Sequence, residues 1–321
     1  MENQKLKSVE DLIDKNTDLP SNVKVQLKEN IKKLASQEMN IMVTGATGCG
    51  KSSTINALFD TEKAQVGVGV NPETMAIGRY DFDNLIIWDT PGLGDGVEAD
   101  KQHTENIIKK LHEKDSNGNL LIDLVLVILD ASSRDLGTSY DLINNVIIPN
   151  LGDNKEGRIL VALNQCDMAM KGRYWDNETH MPEQQLVDFL EDKVASVRNR
   201  IYNSTQVDVD PIYYSAGFKE PGKPQETSFN VNKLLYYIIS KAPKEKRVIV
   251  YHRTNQSNLK KDKTLSSERD YRGETKEVVE KSAWESVVSG VAGGAAIGAS
   301  LGGPVGGVIG GFIGGIVGLL F

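Results

Sequence analysis

Two kinds of apolar pattern alternate along this chain. Short continuous runs at 41–43, 85–88, 125–129, 159–163 and 212–214 read as buried strands. Apolar residues at three- and four-residue spacing over 99–111, 138–146, 183–202 and 231–239 read as helices that each bury one face. A further strand at 77–82 would turn through Asp83-Asn84 into the run at 85–88 as a hairpin. Ahead of these, Val23, Leu27, Ile31 and Leu34 share a helical face, with Pro20-Ser21-Asn22 as the start signal; Val9, Leu12 and Ile13 suggest a shorter helix before it. Strands alternating with helices predict an α/β fold with a doubly wound, mostly parallel sheet. The run Val248-Ile249-Val250-Tyr251 is strand-like, but the alternation leaves it no place.

The pattern divides the chain into a helical extension at 1–38, an α/β domain at 39–242, a charged linker at 243–283 and an apolar tail at 284–321. From Lys241 to Lys281 there are twelve basic and seven acidic residues, a locally basic stretch that reads most plainly as a solvated linker. Charge then stops: 287–321 holds no ionisable side chain, and glycine recurs every fourth residue at Gly290, Gly294, Gly298, Gly302, Gly306, Gly310, Gly314 and Gly318. On a helix this is a glycine stripe along one face. In water each such glycine disfavours a helix by about 1 kcal/mol relative to alanine. In a bilayer the backbone must pair internally, and small residues at this spacing let helices pack closely. The tail is therefore expected to be a membrane-type helical segment. Pro304 splits it into halves of 17 residues. Each is about 25 Å long as a helix, near the lower limit for spanning, so a hairpin and one long kinked helix both remain open. Trp284 and the basic linker suit an interfacial anchor.

Composition excludes some classes. The formal net charge of −7 gives no general nucleic-acid signature. The charged opening of the chain predicts no signal peptide. Cys49 and Cys166 are the only cysteines and form no metal pattern, which fits a reducing compartment. Cys49, at a predicted helix start, is a candidate for a lowered pKa; a passive small residue is the plainer reading. His103, His112, His180 and His252 share no metal-ligand spacing.

The chemistry gathers at the ends of the predicted strands. Gly45-Ala46-Thr47-Gly48-Cys49-Gly50-Lys51-Ser52 follows the first strand and opens a helix at Ser53, with the spacing G-x-x-x-x-G-K-S. A phosphate chain needs several backbone N–H groups aimed at one spot, and glycines let the backbone come close to it. Lys51 would reach the β- and γ-phosphates, and the Ser52 hydroxyl would ligate Mg²⁺. The second run ends in Asp89-Thr90-Pro91-Gly92, a D-x-x-G arrangement. There Asp89 would hold Mg²⁺ through water and the Gly92 amide would sense the γ-phosphate. The run at 159–163 ends in Asn164-Gln165-Cys166-Asp167. A carboxylate at Asp167 would accept from N1–H and the 2-amino group of guanine, a donor pair that adenine lacks. Ser215-Ala216, after the last strand, would offer an amide to the guanine oxygen.

Taken in order, these residues resemble the sequence boxes of the small P-loop GTPase domains of the TRAFAC class, in the Era/TrmE/septin-like branch. The resemblance covers roughly 40–242. It implies a Ras-like fold, GTP and GDP as ligands, and Mg²⁺ held by Ser52, a loop threonine and Asp89. It implies nucleotide contacts from Gly45, Thr47, Gly48, Cys49, Gly50, Lys51, Ser52, Ser53, Asn164, Gln165, Asp167, Ser215 and Ala216, and catalysis centred on Lys51, Thr74 and Gly92. Thr74 fits the second box, ahead of the strand at 77–82, with Gly67 and Gly69 beside it and Thr61 as the runner-up. The usual fourth box is N-K-x-D; Gln165 replaces its lysine, so somewhat weaker binding is expected. Ras-like proteins place a water-orienting glutamine after the D-x-x-G glycine, whereas this chain has Leu93. Some relatives hold a potassium ion through an asparagine in the glycine loop; the matching position is Gly48. Slow turnover is expected, on the order of 10⁻⁴–10⁻² s⁻¹. A dimer partner would supply the missing help. Arg134, after the strand at 125–129, is a candidate finger toward a neighbour, with an ordinary surface arginine as the plainer reading.

The combined expectation is a cytoplasmic, membrane-associated GTPase switch. Its nucleotide state would control a self-associating tail that meets lipid, with a homodimer or oligomer as the working form and no nucleic-acid partner. Two other readings stay open: a soluble Era-like ribosome or RNA assembly factor, and a pore-forming or toxic effector whose release the GTPase domain controls.

Overall fold

The computed structural model describes residues 10–11, 13–15, 20–59, 65–67, 77–94, 96–218, 225–265 and 267–290. Thr61, Gly69, Thr74 and the tail from 291 onward lie outside the described residues. The chain forms two compact units. The larger comprises 39–242 and 253–274; the smaller comprises 1–38, 243–252 and 275–321.

The larger unit is a mixed sheet with helices on its faces. Its strands are β1 (Met39–Gly45), β2 (Gln65–Gly67), β3 (Gly78–Phe82), β4 (Leu85–Asp89), β5 (Leu124–Asp130) and β6 (Ile159–Asn164). A small two-stranded ladder, β7 (Trp175–Asp176) with β8 (Met181–Pro182), stands apart, and β9 (Ile212–Tyr213) returns to the main sheet. The main order is β2-β3-β4-β1-β5-β6-β9. Strand β1 pairs in parallel with β4 and β5, and β6 pairs in parallel with β5 and β9. Only the β2-β3-β4 edge is antiparallel. Every residue of β1 and β6 is buried, as continuous apolar runs require in a sheet covered on both faces. The expected hairpin is present: Asp83 takes φ 61° in the turn between β3 and β4.

The helices of this unit are α2 (Lys51–Leu58), α3 (Val97–His112), α4 (Gly137–Asp141), α5 (Gln184–Thr205), α6 (Val231–Lys241) and α8 (Gln256–Lys261). Helix α4 is shorter than its apolar pattern suggests. It widens into π-type turns over Leu142–Ile147 and tightens at Ile148–Asn150, where Pro149 ends the run. These turns still bury Leu142, Ile143, Val146 and Ile147, so packing rather than helix type follows the hydrophobic pattern.

The smaller unit contains α1 (Ser21–Ala35), α7 (Arg247–His252) and residues 275–287 of α9 (Tyr271–Val287). Val23, Leu27, Ile31 and Leu34 form the buried face of α1, as their spacing predicts. Asn30 donates to the carbonyls of Val287 and Ser289, both at 2.8 Å, and so satisfies the end of α9. Arg247 donates to the Ser282 hydroxyl at 3.0 Å, and Lys244 pairs with Glu285 at 3.0 Å. The segment expected as a charged linker is therefore folded. The strand-like run Val248-Ile249-Val250-Tyr251 is helical, and Val248, Ile249 and Val250 are all buried. Burial of three consecutive branched side chains overrides their modest preference against helix.

Asp262 organises one corner of the larger unit. Its carboxylate accepts from the Val231 amide at 3.1 Å, the Asn232 amide at 2.8 Å, the Asn232 side chain at 3.0 Å and the Ser228 hydroxyl at 2.6 Å. It thus caps the start of α6 from a distance of about thirty residues along the chain. Burial raises its pKa, while these donors lower it. Replacing it removes the acceptor for several amides at once. Asp262→Ala should lower stability by about 2–4 kcal/mol in urea unfolding. A loss below about 0.5 kcal/mol would show that water replaces the carboxylate at little cost.

Candidate functional site

The candidate site is built at the C-terminal ends of β1, β4 and β6, where a parallel sheet opens a crevice. The glycine loop leaves β1 at Gly45 and enters α2 at Lys51. A Cβ at Gly45 would sit 2.2 Å from the Ile128 carbonyl oxygen, so only glycine lets the loop leave the sheet this closely. Gly50 has φ 88°, and a Cβ there would meet Asn164 Nδ2 at 2.2 Å. The first amides of α2 have no preceding turn to accept them, and Thr54 N–H to Gly50 O at 2.9 Å closes the first helical bond. Lys51 Nζ donates back across the loop to the carbonyls of Gly45 at 3.2 Å and Ala46 at 3.1 Å. The result is a ring of backbone with an ammonium at its mouth, suited to a phosphate chain.

The D-x-x-G segment lies directly on this loop. Thr47 N–H donates to Leu93 O at 2.9 Å, and Leu93 N–H to Gly45 O at 3.4 Å. A Cβ at Gly92 would come within 2.3 Å of Thr47 Oγ1. Thr90 is tied to β1 by its amide on Val43 O at 3.0 Å and by its hydroxyl on Thr44 Oγ1 at 2.9 Å. His103, buried on α3, has Nδ1 3.2 Å from Gly92 O. Leu93 itself is buried at 5% exposure, so it cannot face a water at the crevice.

Asp89 Oδ1 is buried and has no hydrogen-bond partner. Burial pushes its carboxyl up to about 6, against the pull of Lys51. A buried carboxylate oxygen without a donor, within electrostatic reach of Lys51, suits a hard cation reached directly or through water. The donors present thus fit Mg²⁺, with Ser52 and Asp89 to hold it.

The third box joins the other two. Asn164 Nδ2 donates to Cys49 O at 3.0 Å, and its Oδ1 accepts from Ala216 N–H at 3.0 Å. Gln165, at φ 61°, donates through Nε2 to Gly48 O at 2.7 Å. The residue standing in for lysine thus braces the glycine loop by a neutral hydrogen bond. Asp167 is half-buried on the turn that follows. The Ala216 amide, expected to face a guanine oxygen, is committed to Asn164, and the Ser215 amide donates to Phe229 O at 2.9 Å. For Cys49 the plainer of the two readings fits: burial pushes its thiol up to about 11, because the side chain is 1% exposed and desolvation outweighs Lys51.

Two side-chain contacts around the site escape any sequence reading. Gln225 donates through Nε2 to Ser53 O at 3.0 Å, Ala216 O at 2.6 Å and Gly217 O at 3.2 Å, tying α2 to the loop after β9. Tyr214 OH meets Thr54 Oγ1 at 2.6 Å inside the core. Neither belongs to a motif, and no spacing signals them. Thr74 lies outside the described residues, so the structure gives it no position.

Comparison with known proteins agrees with this layout in its first part. The family model described as "Interferon-inducible GTPase (IIGP)" matches residues 3–122, which include the glycine loop and the D-x-x-G segment. Translocase of chloroplast 108 of Physcomitrium patens is 38% identical over 100 residues, 30% of this chain and 10% of that protein. Uncharacterized protein YkfA of Escherichia coli K12 is 28% identical over 155 residues, 47% of this chain and 50% of that protein. The chain thus spans half or less of the length of these relatives. Among solved structures, Toc33 of Arabidopsis thaliana in complex with Mg²⁺ and GMPPNP is 18% identical, covers 65% of this chain and 85% of its own, and has a TM-score of 0.40.

The raised pKa of Asp89 has a signed consequence. Without ligand, the folded chain holds a proton on Asp89 between the ordinary carboxylate range and about pH 6, where the unfolded chain has released it. The stability associated with this group is therefore present at low pH and is lost as pH rises through about 6. Asp89→Asn should flatten that part of the profile. It should also leave the nucleotide-free chain more stable than the wild type at pH 7 by about 1–3 kcal/mol, read from urea melts at pH 4.5 and 7. Identical pH slopes for the two proteins would remove Asp89 as the titrating group.

Proposed function

We propose that this chain is a GTP-binding and GTP-hydrolysing switch that uses Mg²⁺. The observation that carries the proposal is convergence: the glycine loop, the unpartnered Asp89 carboxylate and the Asn164–Asp167 turn meet at one end of one sheet. Their chemistry divides the ligand into phosphate, cation and base. The chain's own groups would act as follows. The loop amides and Lys51 bind and orient the phosphates, and Ser52 and Asp89 hold the cation. Bound Mg²⁺ supplies charge neutralisation at the β- and γ-phosphates. Gly92, held by its carbonyl near His103, keeps the D-x-x-G segment against the loop. Asp167 selects guanine. Thr74 completes the cation's ligands when GTP is bound.

With Leu93 buried where a water-orienting glutamine would stand, the chain lacks its own means of placing the attacking water at that position. Hydrolysis is therefore slow in a lone chain and rises when two copies associate. The apolar stretch 287–321 gives the switch its output: a self-packing membrane segment governed by nucleotide state. No helix among the described residues is long and apolar enough to cross a membrane; the proposal for the tail rests on the sequence, most of which lies beyond the described residues there. The relatives in the chloroplast translocases and the interferon-inducible GTPase family model support the GTPase reading.

Displacement of a fluorescent GDP tests the base assignment. GTP should compete at least about 100-fold better than ATP, and Asp167→Asn should erase most of that preference, because an unpaired buried carboxylate is what rejects adenine. Lys51→Ala should weaken binding of both GDP and GTP while leaving the unfolding transition in place. Equal competition by ATP and GTP in the wild type would sink the guanine assignment.

Flotation tests the output. The full chain should rise with liposomes, whereas a chain ending at Gly290, which keeps α9 whole, should stay in the soluble fraction with its GTP hydrolysis intact. Dye leakage from the same liposomes would favour the permeabilising reading over tethering. A full-length chain that is monodisperse without detergent and fails to float in either nucleotide state would end the membrane proposal.

A further inference from the structure

A second concave site lies in the larger unit, made by the turn after β5, the turn after Asp167 and one face of α5. The cavity holds about 890 Å³ and none of the glycine-loop residues lines it. Five cations reach it, from Arg134, Lys171, Arg173, Lys193 and Arg200, against one carboxylate, Asp192. This imbalance stands out in a chain whose net charge is −7.

The cations are held in place by different means. Lys193 Nζ donates to the carbonyls of Ala131 and Ser133, both at 2.6 Å, and so fixes the turn that carries Arg134. The Arg200 guanidinium lies 5.5 Å from the centroid of the Tyr140 ring. Lys171 and Arg173 stand on a backbone in the left-handed region at Met170 (φ 52°), Lys171 (φ 64°), Gly172 (φ 71°) and Tyr174 (φ 62°). Such conformations in non-glycine residues are kept only when their surroundings enforce them, and they gather where a surface is shaped for a ligand. Among the described residues no carboxylate pairs with Arg134, Lys171 or Arg173.

Like charges gathered in a concave wall repel one another, and a bound polyanion relieves that repulsion. Three of the five cations are guanidiniums, whose fork matches phosphate oxygens in pairs. One phosphate carries only about −1.5 to −2, so the unpaired charge here calls for at least two. The volume lies within the usual range for small-molecule sites, about 300–1,000 Å³. The rings of Tyr140 and Phe189 add apolar wall for a carbon framework. We propose that this cavity binds a small molecule bearing two or more phosphate groups, at a site separate from the glycine loop. The same chemistry is offered by a free polyphosphate ester and by the headgroup of a multiply phosphorylated lipid.

The test uses the full chain saturated with GDP and Mg²⁺, and the Lys51→Ala chain beside it. Inositol trisphosphate and inorganic tripolyphosphate are the soluble probes, followed by calorimetry. Phosphatidylcholine vesicles with and without phosphatidylinositol bisphosphate are the lipid probe, followed by co-sedimentation. Because the apolar tail could bind any vesicle, the reading is the gain that the phosphorylated lipid adds over phosphatidylcholine alone. At least one probe should bind both chains. The paired substitution Lys171→Glu with Arg173→Glu should weaken that binding at least tenfold, with GDP affinity unchanged within twofold and the thermal transition retained. Binding of soluble probes assigns a free ligand, and a gain confined to the phosphorylated vesicles assigns a headgroup; either supports the site. Should the paired substitution unfold the chain, Arg173→Ala alone is read, with a threefold loss expected. Failure of every probe, competition by GDP, or equal binding by the folded variants would overturn the proposal. Loss of GDP binding by the wild type, with probe binding retained, would instead count against the nucleotide site alone.

Discussion

The side chain of Asn164 makes two hydrogen bonds in opposite senses, donating to Cys49 O and accepting from Ala216 N–H. Its partners belong to the glycine loop and to the loop after β9, and its own backbone ends β6. One buried amide thus spaces three loops that no continuous element connects. The arrangement is demanding. A carboxylate in its place could not donate to Cys49, and an aliphatic residue would leave both partners unpaired. Gly50 must lack a side chain because this amide occupies the space, so two motifs far apart in sequence fix each other's identity.

Around that amide, two further ties set the rigidity of the site. Gln165 reaches Gly48 O, and Gln225 reaches Ser53 O. The glycine loop is therefore braced from the turn after β6 and the first turn of α2 from the loop after β9, while the loop's remaining side is covered by Leu93 and Gly92. The first two braces are neutral side-chain hydrogen bonds, the one from Gln165 exposed and the one from Gln225 half-buried. The third is a backbone bridge from a segment whose glycine sits against Thr47, with His103 behind it. Under the proposed reading, a γ-phosphate that draws on the Gly92 amide would act on that third side.

The fold and much of the site were legible in the sequence because their signals are local. Buried parallel strands read as unbroken apolar runs, and Gly45, Gly50, Lys51, Asp89 and Asn164 stand at strand ends in fixed spacing. Where the reading failed, the deciding contact was distant. Val248, Ile249 and Val250 look like a strand and fold as a helix, because burial of the segment outweighs local preference. The Ala216 amide looks free for a base, but a side chain from β6 takes it. The contacts of Gln225 with Ser53 and of Tyr214 with Thr54 carry no local signal, since each joins residues more than 150 apart in the chain.

Those separations also bear on how the chain reaches its native state. Asn164 meets Cys49 across 115 residues, Gln165 meets Gly48 across 117, and Gln225 meets Ser53 across 172. Closing such long loops costs entropy before any contact rewards it, so completion of the crevice is expected to follow alignment of β1, β5 and β6. A ligand that needs all three loops then binds only chains whose sheet has closed and draws the population toward that state by mass action. On the proposed reading, the cell's nucleotide pool would act as a selective scaffold for newly made copies, and a chain deprived of nucleotide would open first where these long-range ties are missing.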